Sequence, residues 1–349
     1  MKKSSKRILV IVASIIVSFT PICQGADTYK FLKEIPVGGE GGWDDLIVDS
    51  AAERLYVSHA TKVVVIDLKK DQVIGEISNT PGVHAIAVAP KLNRGFVSNG
   101  RSNNVSIVDL KTLQTLSTVE TEKNPDAMLF EPGQNEVYAF NGRSASATVI
   151  DAKSGKVVAT VPLGGKPEFA RADAKAGRVY DNLEDKSEVV AVDTKTHSVT
   201  NVWPIAPGES PSGLAIDEKH HRLFLGCDKM MVMMDSASGK VLATVPIGQG
   251  VDGAAFDPKT QLAFASCGDG TTTIAKEDGD KLTVVQTLET ARGARTMALD
   301  EQTHKIYLPA AQFEAPANSS TNQVANAPRQ RPRMVPGSFK ILVYGMDKQ

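Results

Sequence analysis

Asp67, Asp109, Asp151, Asp193 and Asp235 follow one another at intervals of 42 residues, each after an apolar run and before a polar turn. The turns read DLKKDQ, DLKTLQ, DAKSGK, DTKTHS and DSASGK. Self-similarity at such a period means one supersecondary unit used repeatedly, and it constrains the fold more than any local propensity.

Each unit divides into four short runs. In the second unit these are HAIAVAP, GFVSNG, VSIVDL and QTLSTV, separated by polar turns. The runs alternate apolar with polar residues or are rich in Val, Ile and Ala, and they are too short for helices. Four strands in a repeat of this length is the pattern of a β-propeller blade. The first strands DDLIVD, HAIAVAP, DAMLFEP, EFARADA, SGLAID, DGAAFDP and RTMALD number seven. They predict an all-β, seven-bladed β-propeller with four antiparallel strands per blade. The last blade ends one strand short, at SFKILVYGMDK, whereas YKFLKEIPV, from Tyr29, lies one repeat ahead of QVIGEI and fits the fourth-strand pattern. The N-terminal strand is therefore expected to close the ring, which removes open sheet edges.

The second strands (LYVSHA, GFVSNG, VYAFNG, VYDNLE, LFLGCD, AFASCG and IYLPAA) vary on Tyr-Val-Thr-Asn. With the following V-x-V-I-D and G-K-V-V-A-T-V runs, the chain resembles the YVTN β-propeller repeat family of secreted proteins (YncE-like). The resemblance covers the chain after its N-terminal segment. It implies the fold strongly and a binding role weakly, because its motifs are blade-building residues. The chain departs from the pattern in the sixth blade, where IAKED replaces the apolar strand and Asp, and in the seventh, which carries an insertion.

The first 25 residues read as a secretory signal peptide: Lys2, Lys3, Lys6 and Arg7, then the apolar run from Ile8 to Phe19, then TPICQGA. An apolar run of 12 residues is too short to cross a bilayer as a helix. Cleavage is expected after Gly25 or Ala26, with residues 26–349 forming one propeller domain in the periplasm or outside the cell. Ile22 stands where a lipoprotein needs a small residue before Cys23, so no lipid anchor is expected. Removing residues 1–25 takes four of the 39 basic residues and none of the 40 acidic ones, which leaves a net charge of −5. That balance argues against a nucleic-acid surface, which needs a basic stripe.

In a propeller the first strand of each blade lines the central channel. Its starting end lies on the face that carries the turns between second and third strands. The first-strand starts offer Asp44, His84, Asp126, Glu168, Ser212, Asp252 and Arg295 at matching positions. The second-strand ends add His59, Asn99, Asn141, Cys227 and Cys267, and Trp43 precedes Asp44. Trp43, Asp44, His59, His84, Asn99, Asp126, Asn141, Glu168, Asp252 and Arg295 are therefore the candidate ligand-binding rim. The bland alternative is a wet channel whose rim tolerates charge. The carboxylates match the oxygen ligands of Ca²⁺ or Mg²⁺, but they come from different blades, so no cofactor is expected and a divalent cation is the minor reading. His84 is the candidate acid–base residue, with Asp44 and Asp126 in neighbouring blades to orient it.

Cys227 and Cys267 occupy matching positions in adjacent blades. Packed sheets stand about 10 Å apart and a disulfide needs Cα atoms within about 7 Å, so free thiols are expected. Met230, Met231, Met233 and Met234 beside Cys227 raise a copper reading, but alternation sends them to opposite faces of a strand. The segment from Gln312 to Gly337, rich in Pro, Asn, Ser and Ala, is expected to be an irregular loop on the rim face. It is expected either to hang free as a tail-like loop or, through Arg329, Arg331 and Arg333, to fold as a lid over Asp44, Asp126, Glu168 and Asp252. No haem, zinc-protease, nucleophile-elbow or phosphate-loop motif is present. The expected function is a secreted binding or interaction module, probing a small ligand or a protein partner as a monomer. The rival is a metal-dependent, lactonase-like hydrolase using His84.

Overall fold

The computed structural model describes residues 28–314 and 333–346. Residues 1–25, expected to be a signal peptide, and most of the insertion, with Arg329 and Arg331, lie outside the described residues. Seven four-stranded antiparallel sheets form seven blades, six of them from consecutive strands. The second blade is typical, with strands Val83–Ala89, Arg94–Asn99, Asn104–Asp109 and Thr115–Glu120. Its inner three strands are largely buried and its outer strand is largely exposed. The 42-residue aspartates hold the turn between third and fourth strands. Asp109 Oδ1 accepts hydrogen bonds from the backbone N–H of Lys111 and Thr112 at 2.9 and 2.8 Å. Asp67 and Asp193 do the same in their own blades. Backbone donors hold the carboxyls of Asp67, Asp109 and Asp193 below the usual range. Charge at this position therefore serves the turn.

The seventh blade orders its strands as Tyr29–Pro36, Lys340–Met346, Lys305–Ala310 and Ala298–Asp300. The N-terminal strand closes the ring as expected, pairing Tyr29 with Met346 and Pro36 with Lys340. Ile35 is fully buried, and the Tyr29 hydroxyl donates to the carbonyl of His304 at 2.8 Å.

Apolar side chains meet between blades. Seven buried clusters are described, one for each pair of adjacent blades around the ring. Phe224 and Phe256, stacked at 4.7 Å between centroids, join the fifth blade to the sixth. Alternation divides the methionines as expected: Met231 and Met233 pack towards the sixth blade, Met230 and Met234 towards the fourth. Cys227 and Cys267 are buried free thiols, each donating weakly to a carbonyl two residues back. Burial pushes both thiols up to about 12. Neither is expected to react with iodoacetamide in the folded protein, while both should react in denaturant; rapid alkylation of native protein, read by intact mass, would contradict this placement.

Candidate functional site

The channel mouth is built by a repeated irregularity at the start of the first strands. Pairing between first and second strands slips after Trp43, Val83, Pro125 and Pro167. A bulge leaves the next residues unpaired and re-aims their side chains. Those residues are Asp44, His84, Asp126 and Glu168. Together with Ser212, Asp252 and Arg295 they line one cavity of about 240 Å³. All seven first-strand residues thus converge.

The mouth is wired by charge. His84 Nδ1 lies 2.6 Å from Asp44 Oδ2 and 3.4 Å from Asp126 Oδ1. Arg295 Nε sits 2.9 Å from Asp252 Oδ2, and Ser212 donates to Asp252 Oδ1 at 2.7 Å. Lys166 Nζ bridges Glu168, at 2.5 Å, and Glu184. Six carboxylates (Asp44, Asp45, Asp126, Glu168, Glu184 and Asp252) face Lys166, Arg295 and His84.

Partial burial makes ionisation costly for the acids. It pushes Asp126 up to about 6, opposed by His84 and reinforced by Asp44. It pushes Glu168 up to about 7 against the pull of Lys166, and raises Asp252 against the pull of Arg295 and the hydroxyl of Ser212. The hydrogen bond to Asp44, outweighing burial, raises His84. In this pH range the folded mouth binds more protons than the unfolded chain. These acids therefore cost stability as pH rises from about 4 to about 7.

A second cavity of about 360 Å³ continues down the channel, sharing Asp45, Ala127 and Phe169 with the mouth. Below the shared neck, Arg171 of the fourth blade donates to the carbonyl of Ala254 in the sixth at 3.3 Å. Burial pushes Asp45 up to about 7, with Arg171 opposing.

Four expected rim residues are placed elsewhere. His59 is buried and stacks on Phe339 at 4.2 Å between centroids, and burial lowers its pKa. Trp43 stacks on Phe339 at 5.1 Å and lies near Phe313, joining the first blade to the seventh. Asn99 donates its amide to Asn104 and Ser106, and Asn141 to Ser146 and Thr148, which tie second strands to third strands. His59, Asn99 and Asn141 share one physical reason. A second strand is covered on both faces by neighbouring blades, so its last side chain is buried where the bulged first strand reaches solvent. Trp43 still pairs with His59 ahead of its bulge.

Asp45, Lys166, Glu184 and Phe169 line the mouth although they are not first-strand starts. Asp45 and Phe169 are the second residues of their bulges. Lys166 and Glu184 belong to turns beside the start of the fourth blade's first strand, where the backbone N–H of Glu184 donates to the carbonyl of Lys166 at 3.0 Å.

No family model matches the chain, and no curated protein matches it. Many solved structures share the fold, two of them as follows. The hydrazine synthase of Kuenenia stuttgartiensis superposes with a TM-score of 0.69 at 16% identity, over 78% of this chain and 94% of that one. A chain of a mitotic checkpoint complex superposes with a TM-score of 0.70 at 12% identity, over 87% of this chain and 95% of that one. At such identities the likeness concerns the propeller alone. Among the described residues no helix is long and apolar enough to cross a membrane.

Proposed function

We propose that the protein is a secreted or periplasmic binding module of the YVTN type whose channel mouth takes a small organic cation. The observation that carries this reading is the excess of carboxylates in the mouth: six against two fixed cations and one histidine. A diamine or a ligand bearing a guanidinium would donate hydrogen bonds to the carboxylates and relieve the crowding of like charge. The same excess repels phosphate, which supports the expectation of no nucleic-acid partner.

Titration calorimetry with putrescine tests the reading. Protons and the ligand compete for Asp126 and Glu168, and His84 loses its positive charge as pH rises. Both effects favour cation binding in the same direction. Affinity is expected to rise between about pH 5 and about pH 8, with protons released on binding. No binding, or binding indifferent to pH, would reject a cationic ligand.

One observation favours the second reading, a metal-dependent hydrolase using His84. Ligand atoms of Asp44, His84 and Asp126 lie within 4.8 Å of one another. A divalent ion held there would polarise an ester or lactone carbonyl. Lactone hydrolysis that requires added metal and is lost in His84→Asn would favour this reading over the binding module.

A further inference from the structure

One blade breaks the 42-residue rule by changing its chemistry. The register that gives five aspartates next falls on Glu277. In the five earlier blades the carboxylate stays with its own turn, as in Asp235, which accepts from the backbone N–H of Ser238 at 2.8 Å. The third strand of the sixth blade instead runs on to Asp278 and pairs it with Lys281 in a tight hairpin. Glu277 is 2% exposed, and its buried Oε2 has no hydrogen-bond partner. The longer side chain carries the carboxyl across to the fifth blade. There one ligand atom each from Glu277, Asp217 and His220 lies within 4.8 Å of the other two.

Asp217 is 3% exposed and closes the first strand of its blade. Its Oδ1 accepts from the backbone N–H of Lys219 at 2.9 Å, and its Oδ2 lies 2.6 Å from His220 Nδ1. Two carboxylates are thus buried side by side, with an imidazole at the open edge. Burial and the charge of Asp217 together push Glu277 up to about 7. Arg222 also acts on Glu277, but its terminal nitrogens are engaged by Asp235 at 3.0 Å and Asp280 at 2.7 Å.

We propose that Asp217, His220 and Glu277 form a divalent metal site, best suited to zinc, that staples the fifth blade to the sixth on the face opposite the channel mouth. One imidazole nitrogen with two carboxylate oxygens is a zinc donor set, and a fourth position is left for water. Zinc bonds of about 2.0 Å to nitrogen and oxygen in tetrahedral geometry set ligand atoms about 3.3 Å apart. The three donors stand within 4.8 Å of one another, so binding needs only a small closing of the cluster, and His220, the partly exposed member, is the one with room to turn. The ion supplies what Oε2 lacks, a direct bonding partner, and neutralises two buried like charges. The site stands apart from the reading of the mouth, since it uses other residues on the other face.

Equilibrium dialysis of the purified protein against zinc sulfate, followed by elemental analysis and thermal unfolding, tests the proposal. Zinc is expected to be retained at this site and to raise the melting temperature by on the order of 5 °C at saturating metal. Glu277→Gln and Glu277→Asp are each expected to weaken this binding roughly 100-fold. The second variant restores the residue that five other blades carry in register, so it should keep the fold while withdrawing the ligand. Asp126→Asn, in the mouth, should leave the zinc-dependent melting shift intact. The proposal is overturned if the unmodified chain takes up no zinc, if both Glu277 variants bind zinc as tightly as it does, or if only Asp126→Asn loses the shift.

Discussion

Deletion of the strand Tyr29–Pro36 is expected to abolish cooperative folding, the largest single effect on stability anywhere in the molecule. This strand is the outer edge of the seventh blade, held there by backbone pairing to Lys340–Met346, and the chain runs on from it into the first blade, so its pairing closes the ring. Its loss removes the buried Tyr29 and Ile35 from two interblade clusters and leaves Lys340–Met346 as an open edge. Burying such side chains contributes about 1.5–3 kcal/mol each, and whole domains are stable by only about 5–15 kcal/mol. The freed edge also offers its unpaired backbone to other chains, so aggregation should accompany the loss. Ile35→Ala is the milder companion. It should keep the fold and lower stability by about 2–5 kcal/mol in urea unfolding. A deletion variant that unfolds cooperatively at the parent midpoint would show that the ring does not depend on its closure.

Replacing Asp126 and Glu168 by Asn and Gln is expected to remove most of the mouth's affinity for putrescine. A hydrogen bond to a charged partner contributes about 1.5–3 kcal/mol, so each replacement should weaken binding roughly 10- to 100-fold. The two groups act on each other electrostatically, so their effects should not simply add. The same variants should melt higher than the parent at neutral pH, where the parent must ionise both groups. At about pH 4 this advantage should vanish, because the parent's acids are then protonated in the folded state. Unchanged putrescine affinity in the double variant would move the ligand away from this face, and an unchanged melting temperature at neutral pH would contradict the cost assigned to these charges.

How far the sequence reaches is clearest at the mouth. Asp44, His84, Asp126, Glu168, Ser212, Asp252 and Arg295 could be named together because the repeat register assigns each the same place in its blade. His59, Asn99 and Asn141 were equally well aligned with one another, yet they are buried. Register says which residues are equivalent. It does not say whether the shared place faces water, and the bulge that decides this has no signature in residue type. Asp45 shows the same limit, since an unslipped strand would turn Asp44 and Asp45 to opposite faces, whereas both line the mouth.

Glu277 marks the boundary between the two kinds of information. Its departure from aspartate was plain as a break in the IAKED segment, but its meaning depends on Asp217 and His220, 60 and 57 residues away in the chain. The sequence by itself determined the repeat, the blade count, the closing strand and the ring of equivalent channel residues. These follow from local periodicity, which is written along the chain. Only the tertiary structure decided which equivalent residues reach solvent, that His84 meets two acids from neighbouring blades, and that two carboxylates of adjacent blades are buried together. Those facts depend on how neighbouring sheets pack and where their pairing slips, and packing between sheets is set by side chains that no single repeat contains.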